Sequence, residues 1–226
     1  MPTRERLITL RSTEATATID TVGASLRDLR VRDMPLLAPT ELSSPPPFCA
    51  GQTLAPWPNR VREGQWEWEG SRQSLHSTEV GTRNALHGLV RDTRFDIADR
   101  APSKVSLSTA IRPQSGWPFA LTLTVTYELS DDGIAVGYQV RNESGATAPF
   151  AIGAHPFFVI GDTPIDSLGI ELPASHVRFN DLDGIPLAPV PVFGDADLRT
   201  GKVVADRSFG QCYSGFDHGE PVECRL

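Results

Sequence analysis

The strongest regularity in the chain is the segment "FALTLTVTYELS", in which Leu121, Leu123, Val125, Tyr127 and Leu129 alternate with Thr122, Thr124, Thr126 and Glu128. A period of two puts one set on a buried face and the other in water, so the pattern predicts a half-buried antiparallel strand. The triplet "DDG" at 131–133 then supplies a turn, with a glycine suited to φ > 0, and Ile134, Val136, Tyr138 and Val140 resume on one face. Together these predict a β-hairpin. Weaker alternation runs through "KVSLSTAI" (104–111), "RFDIADR" (94–100), "TATID" (16–20) and the stretch around Trp66 and Trp68. No segment carries a 3.6-residue period of helical length. Many short strands with turn signals between them predict an all-β fold, a sandwich or a large antiparallel barrel.

Two regions interrupt this rhythm. Residues 41–60, "ELSSPPPFCAGQTLAPWPNR", are rich in proline and small residues, and the stretch from about Gly161 to Pro191 is rich in Pro, Gly and Asp. Long irregular segments in a compact domain are often functional, so a site is sought there. Neither an internal repeat nor a linker composition divides the chain, and a single domain over residues 1–226 is expected. At that length roughly 70% of the unfolded surface can be buried.

Composition narrows the choice of partner. Hydrophobic residues make up 39% and charged residues 22%, as in a soluble globular protein, while 19 glycines and 19 prolines agree with many turns. The net charge of −7 offers no basic field for a phosphate backbone, which argues against nucleic acid and for a neutral small molecule. Cys49, Cys212 and Cys224 lie far apart in an odd count, without CxxC spacing, so neither a disulfide framework nor a zinc site is expected. The opening "MPTRERLITL" lacks the apolar core of a leader, and no long apolar run is present. The expectation is a reduced, cytoplasmic protein with no membrane contact.

Candidate chemistry gathers at four places. In "APWPNR" (55–60) two prolines stiffen the backbone ahead of Asn59 and Arg60, whose amide and guanidinium suit the gripping of hydroxyls; a salt-bridged arginine at a loop end is the plainer alternative. His87, in "RNALHGLVR", is either a turn histidine or a proton carrier. His155, in "AIGAHPFF", is a titratable ring among apolar residues, where desolvation lowers its pKa toward proton exchange near neutrality. In "NDLDGIP" (180–186), Asp181 and Asp183 could accept from vicinal hydroxyls, or could form an Asx turn, the reading that suits Asp183 better. His76, His176 and His218 sit in less suggestive settings. No HxH, HxxxH or HExxH spacing supports a metal site, and no GxSxG supports a serine hydrolase.

Taken in order, "APWPNRV", "GTRNALHGLVR", "AIGAHPFF" and "DLDGIP" resemble the aldose 1-epimerase (galactose mutarotase) family over roughly residues 15–200. The resemblance implies a large antiparallel β-sandwich with an open sugar cleft and no cofactor. It implies an isomerase that interconverts the α and β anomers of a free hexose by acid–base ring opening. By motif, His155 matches the general acid and His87 the histidine that assists beside the anomeric centre. Arg60 and Asn59 match sugar-binding positions, and the acid that holds hydroxyls falls on Asp181, with Asp183 as competitor.

The resemblance also implies a glutamate base in the C-terminal part. No stretch after His155 matches it, and neither Glu220 nor Glu223 is assigned the role. The expectation is therefore an aldose 1-epimerase-like domain shortened at its C-terminus, impaired in proton removal, with an open sandwich edge that invites a dimer or a covering partner. Two alternatives stand beside it. One is a carbohydrate-binding module of the same fold without turnover. The other is a hexose 6-phosphate mutarotase, prompted by the arginines at 60, 62, 83, 91 and 94.

Overall fold

A computed structural model describes residues 5–205, 209–217, 219 and 221–226; His218 and Glu220 lie outside the described residues. The structure is all-β and antiparallel, and its contacts cluster into two compact units, Met1–Gly161 and Asp162–Leu226.

The first unit opens with a four-stranded meander of β1 (Leu7–Arg11), β2 (Ala15–Asp20), β3 (Ser25–Val31) and β4 (Met34–Pro35). Short strands follow along the irregular middle of the chain: β5 (Thr53–Leu54), β6 (Arg60–Val61), β7 (Gln65–Trp68), β8 (Ser71–Ser74) and β9 (Ala85–Leu86). A second four-stranded sheet is built from β10 (Asp96–Ala101), β11 (Lys104–Ile111), β12 (Leu121–Ser130) and β13 (Gly133–Asn142), and β14 (Gly153–Ala154) pairs back onto β5.

Alternation explains how the two large sheets form a sandwich. Ile8 and Leu10 of β1 and Ala15, Ala17 and Ile19 of β2 turn inward, as do Val105 and Leu107 of β11 and Leu121, Leu123, Val125 and Tyr127 of β12, and all share one core. The Tyr127 hydroxyl, buried with its ring, donates to the Ala24 carbonyl at 2.6 Å, so its polar atom is satisfied inside that core. Behind β2, the buried Asp20 carboxylate accepts from Arg27 at 3.0 Å and from Arg6 at 2.9 Å. Arg27 also donates to the carbonyls of Glu41 and Ser44, which ties the proline-rich loop to the sheet.

The predicted hairpin forms, with Leu129 opposite Ile134 and Val125 opposite Tyr138. Asp131 and Asp132 make the turn, while Gly133 opens β13 at φ 155 instead of sitting within it. The inward set of β13 is less covered than that of β12: Tyr138 is 37% and Val140 40% exposed, because β13 is the end strand of its sheet. His76 lies just beyond β8 and is exposed.

The second unit holds short ladders, β15 (Gly169–Ile170) with β18 (Lys202–Val203), and β17 (Val190–Pro191) with β16 (His176–Arg178) and β19 (Cys212–Ser214). The Pro- and Gly-rich composition expected to leave this region irregular limits each of its strands to two or three residues.

Candidate functional site

In the first unit, β6 and β9 pair antiparallel, with Arg60 opposite Leu86 and Val61 opposite Ala85. Asn59 and His87 therefore meet at one end of the ladder. The His87 N–H donates to the Asn59 carbonyl at 2.9 Å, and the Asn59 N–H donates to His87 Nδ1 at 3.0 Å. Both residues sit in the left-handed region at φ 62, which Asn and His enter more readily than most side chains. The next residue must be glycine: Gly88 has φ 74, and a Cβ there would lie 2.0 Å from the Ala55 carbonyl oxygen. That carbonyl accepts the Leu89 N–H at 2.6 Å, which ties "ALHGL" to "APWPN". Aromatic packing of Trp57 against Trp117 and of Trp117 against Trp66 backs the same segment.

The bond from Asn59 decides the tautomer of His87. Because Nδ1 accepts, the proton of the neutral ring is on Nε2, which makes Nε2–H a donor. Burial, and then the positive potential of His155, Arg91 and Arg60, lower the His87 pKa to about 4, so the ring is neutral at pH 7. Desolvation thus acts strongly on this histidine.

His155 follows β14, which pairs Gly153 with Leu54 and Ala154 with Thr53, and its carbonyl accepts the Gly51 N–H at 2.7 Å. Its half-buried ring stands 5.4 Å from that of His87 at an interplanar angle of 76°, with the Phe157 ring 5.4 Å away. Among the described residues, no hydrogen bond engages its ring nitrogens.

Arg60 is held by a carboxylate that the motif reading passed over. Its Nε donates to both oxygens of Glu79, at 2.9 and 3.1 Å, and Nη2 donates to Oε1 at 2.6 Å. The Thr82 hydroxyl and the Asn84 amide also donate to Glu79 Oε2, at 2.9 and 3.2 Å. The Arg60 hydrogen bonds foremost, with those of Thr82 and Asn84, lower the Glu79 pKa to about 2. The salt-bridged alternative for Arg60 is therefore realised, by a residue in the polar stretch "HSTEVGTRN", where no motif marks it. The other arginines are engaged as well: Arg83 with Glu63, Arg91 with Asp92 and the Thr78 carbonyl, and Arg94 with the Glu5 carbonyl.

Asp181 belongs to the second unit. Its Oδ1 accepts the N–H groups of Asp183 and Ile185, both at 2.9 Å, so the Asx turn weighed for Asp183 is built on Asp181. Glu223 is exposed and faces Arg225 at 3.0 Å.

The family description "Aldose 1-epimerase" matches residues 6–220. The uncharacterized protein YihR of Escherichia coli K12 is 31% identical over 171 residues, which are 75% of this chain and 56% of that protein. A GalM/aldose epimerase homologue from C. elegans superposes with a TM-score of 0.77 at 19% identity, over 88% of this chain and 65% of that one. A galactose 1-epimerase from Lactobacillus acidophilus NCFM superposes with a TM-score of 0.75 at 20% identity, over 88% and 63%. The chain thus spans less than two thirds of the length of each of these relatives.

Proposed function

Since this chain belongs to the aldose 1-epimerase family, we propose that it interconverts the α and β anomers of a free hexose. The observation that carries the reading is the pair of histidine rings at 5.4 Å, one with its tautomer fixed by Asn59 and the other with its nitrogens unengaged. Anomer exchange needs a proton delivered to the ring oxygen and one taken from the C1 hydroxyl; the opened chain then rotates about C1–C2 and recloses. In this reading His155 moves the proton at the ring oxygen, and His87 donates from Nε2 to an oxygen beside the anomeric carbon. Asn59 and Arg60 hold hydroxyls.

The test is polarimetry on freshly dissolved α-D-glucose and α-D-galactose. Rotation is expected to relax faster with protein than in buffer, and His155→Ala is expected to abolish the difference. A folded sample that gives no acceleration would refute the reading.

One observation favours a second reading, a carbohydrate-binding module without turnover. The carboxylate whose charge reaches His87 is Glu79, and Arg60 holds it near a pKa of 2, where it is a weak base. Titration calorimetry with a panel of aldoses separates the two: saturable binding without mutarotation supports the module, and absence of binding removes it.

A further inference from the structure

We infer that Glu79 is the positioning residue of the sugar cleft, fixing the direction of the Arg60 guanidinium through a braced two-oxygen contact; the inference rests on the anomer-exchange reading for its kinetic consequence. Arg60 has a backbone fixed by its ladder with Leu86, but its long side chain has rotatable bonds that the ladder does not control. The Nε and Nη2 edge against both Glu79 oxygens removes that freedom, since a guanidinium fork and a carboxylate match in one plane.

The carboxylate is itself held. Thr82 Oγ1 and Asn84 Nδ2 donate to Oε2; Asn84 is buried, its Oδ1 accepts the Glu63 N–H at 3.0 Å, and its N–H donates to Thr82 Oγ1 at 3.1 Å. A surface ion pair would leave both partners mobile and contribute little. Here the Glu79 side chain is 14% exposed, and Thr82 and Asn84, which donate to it, are each held by a further bond. The arrangement also explains the polar run between β8 and β9: Glu79, Thr82 and Asn84 form one brace beneath Arg60.

The prediction separates positioning from general stability. In Glu79→Gln an amide NH₂ replaces one acceptor and meets the Arg60 N–H groups donor to donor, which releases the fork at nearly constant volume. For a residue gripping the sugar equally in ground and transition states, KM for the hexose is expected to rise about tenfold with kcat within about threefold. Thr82→Val, which loosens the brace without touching Arg60, is expected to shift KM in the same direction by less.

A second readout needs no turnover. The Arg60 Nε–H resonance in ¹⁵N NMR is expected to be protected from solvent exchange in the unmodified protein, exchange-broadened in Glu79→Gln, and partly restored in Glu79→Asp. If Arg60 Nε–H stays equally protected in Glu79→Gln, or if KM is unchanged while only the unfolding midpoint drops, the positioning role is overturned. Should the unmodified protein show no mutarotation, the anomer-exchange reading fails while the Nε–H measurement still decides whether Glu79 fixes Arg60.

Discussion

Gly88 gives a direct test of why the histidine loop has its shape. Replacing it with alanine places a Cβ at φ 74 and 2.0 Å from the Ala55 oxygen, against an ordinary contact of 3.4 Å, so about 1.4 Å of relief must come from two backbones. The left-handed conformation alone costs about 1–2 kcal/mol for a residue with a Cβ. Overpacking against a carbonyl that cannot rotate away adds about 1–3 kcal/mol. Displacing Ala55 from the Leu89 N–H, now at 2.6 Å, adds about 1 kcal/mol. The expected loss is about 3–6 kcal/mol, a large part of the stability of an ordinary domain. Gly70 is the control: at φ 76 its added Cβ would meet nothing within 4 Å, so Gly70→Ala carries the conformational cost alone. Urea unfolding followed by tryptophan fluorescence suits the comparison, since Trp57, Trp66, Trp68 and Trp117 all lie in the first unit. If Gly88→Ala costs no more than about 0.5 kcal/mol beyond Gly70→Ala, the close-approach argument is wrong.

Two further outcomes follow from the electrostatics. The folded pKa of His87 is about 4, below its unfolded value of 6.5, so between those values the unfolded chain binds more protons. Stability should therefore fall as pH drops from 6.5 to 4, and His87→Asn should flatten that limb in urea titrations; an unchanged slope would contradict the assigned burial. Glu79, held near 2 against an ordinary 4.5, loses its contribution in a lower window, so the two limbs are separable. At the Asp20 cluster, Arg27→Met removes the fully buried cation and leaves the carboxylate to Arg6 and the Val22 N–H, at an expected cost of about 3–5 kcal/mol. Arg6→Ala, removing a partner that is 35% exposed, is expected to cost about 1 kcal/mol or less; equal losses would show that the burial of Arg27 does not matter.

What could be read in advance divides along the range of the forces involved. Alternation over 104–111 and 121–129 gave β11 its full span and β12 to within a residue, because inward and outward sides of a strand are written in adjacent positions. The partial exposure of Tyr138 and Val140 is invisible to that pattern, since it depends on which strand ends the sheet. The histidines and the roles proposed for them could be found from their motifs, yet the tautomer of His87 could not. It comes from one backbone N–H, that of Asn59, 28 positions away in sequence from the ring nitrogen it meets. Glu79 was missed for a related reason: no motif marks it, and its partner lies 19 positions upstream. The boundary at Gly161 and Asp162 falls where the stretch rich in Pro, Gly and Asp begins, a shift that suggested an irregular loop and not a division of the chain.

The two histidines are not interchangeable in an anomer-exchange cycle. His87 carries its proton on Nε2 and has its other nitrogen committed to Asn59, so to accept a proton it must either break that bond or become a cation beside His155 and Arg60. Its low pKa makes the second route unfavourable at neutral pH. Glu79 is ionised, but Arg60, Thr82 and Asn84 donate to its oxygens, and taking a proton would cost it the pairing with Arg60. Among these groups of the first unit, His155 alone has a ring free to both give and take a proton. One group can serve both ends of ring opening only in turn, with water carrying the proton between the ring oxygen and the C1 hydroxyl. A concerted cycle needs a second basic group at the C1 hydroxyl, and general acid–base catalysis assigns such a partner about 10²–10⁴ in rate. The size of the acceleration in polarimetry therefore reports on the chemistry as well as on its presence: a modest, His155-dependent rate is what a single relay can give, and a large one requires a base beyond this histidine pair.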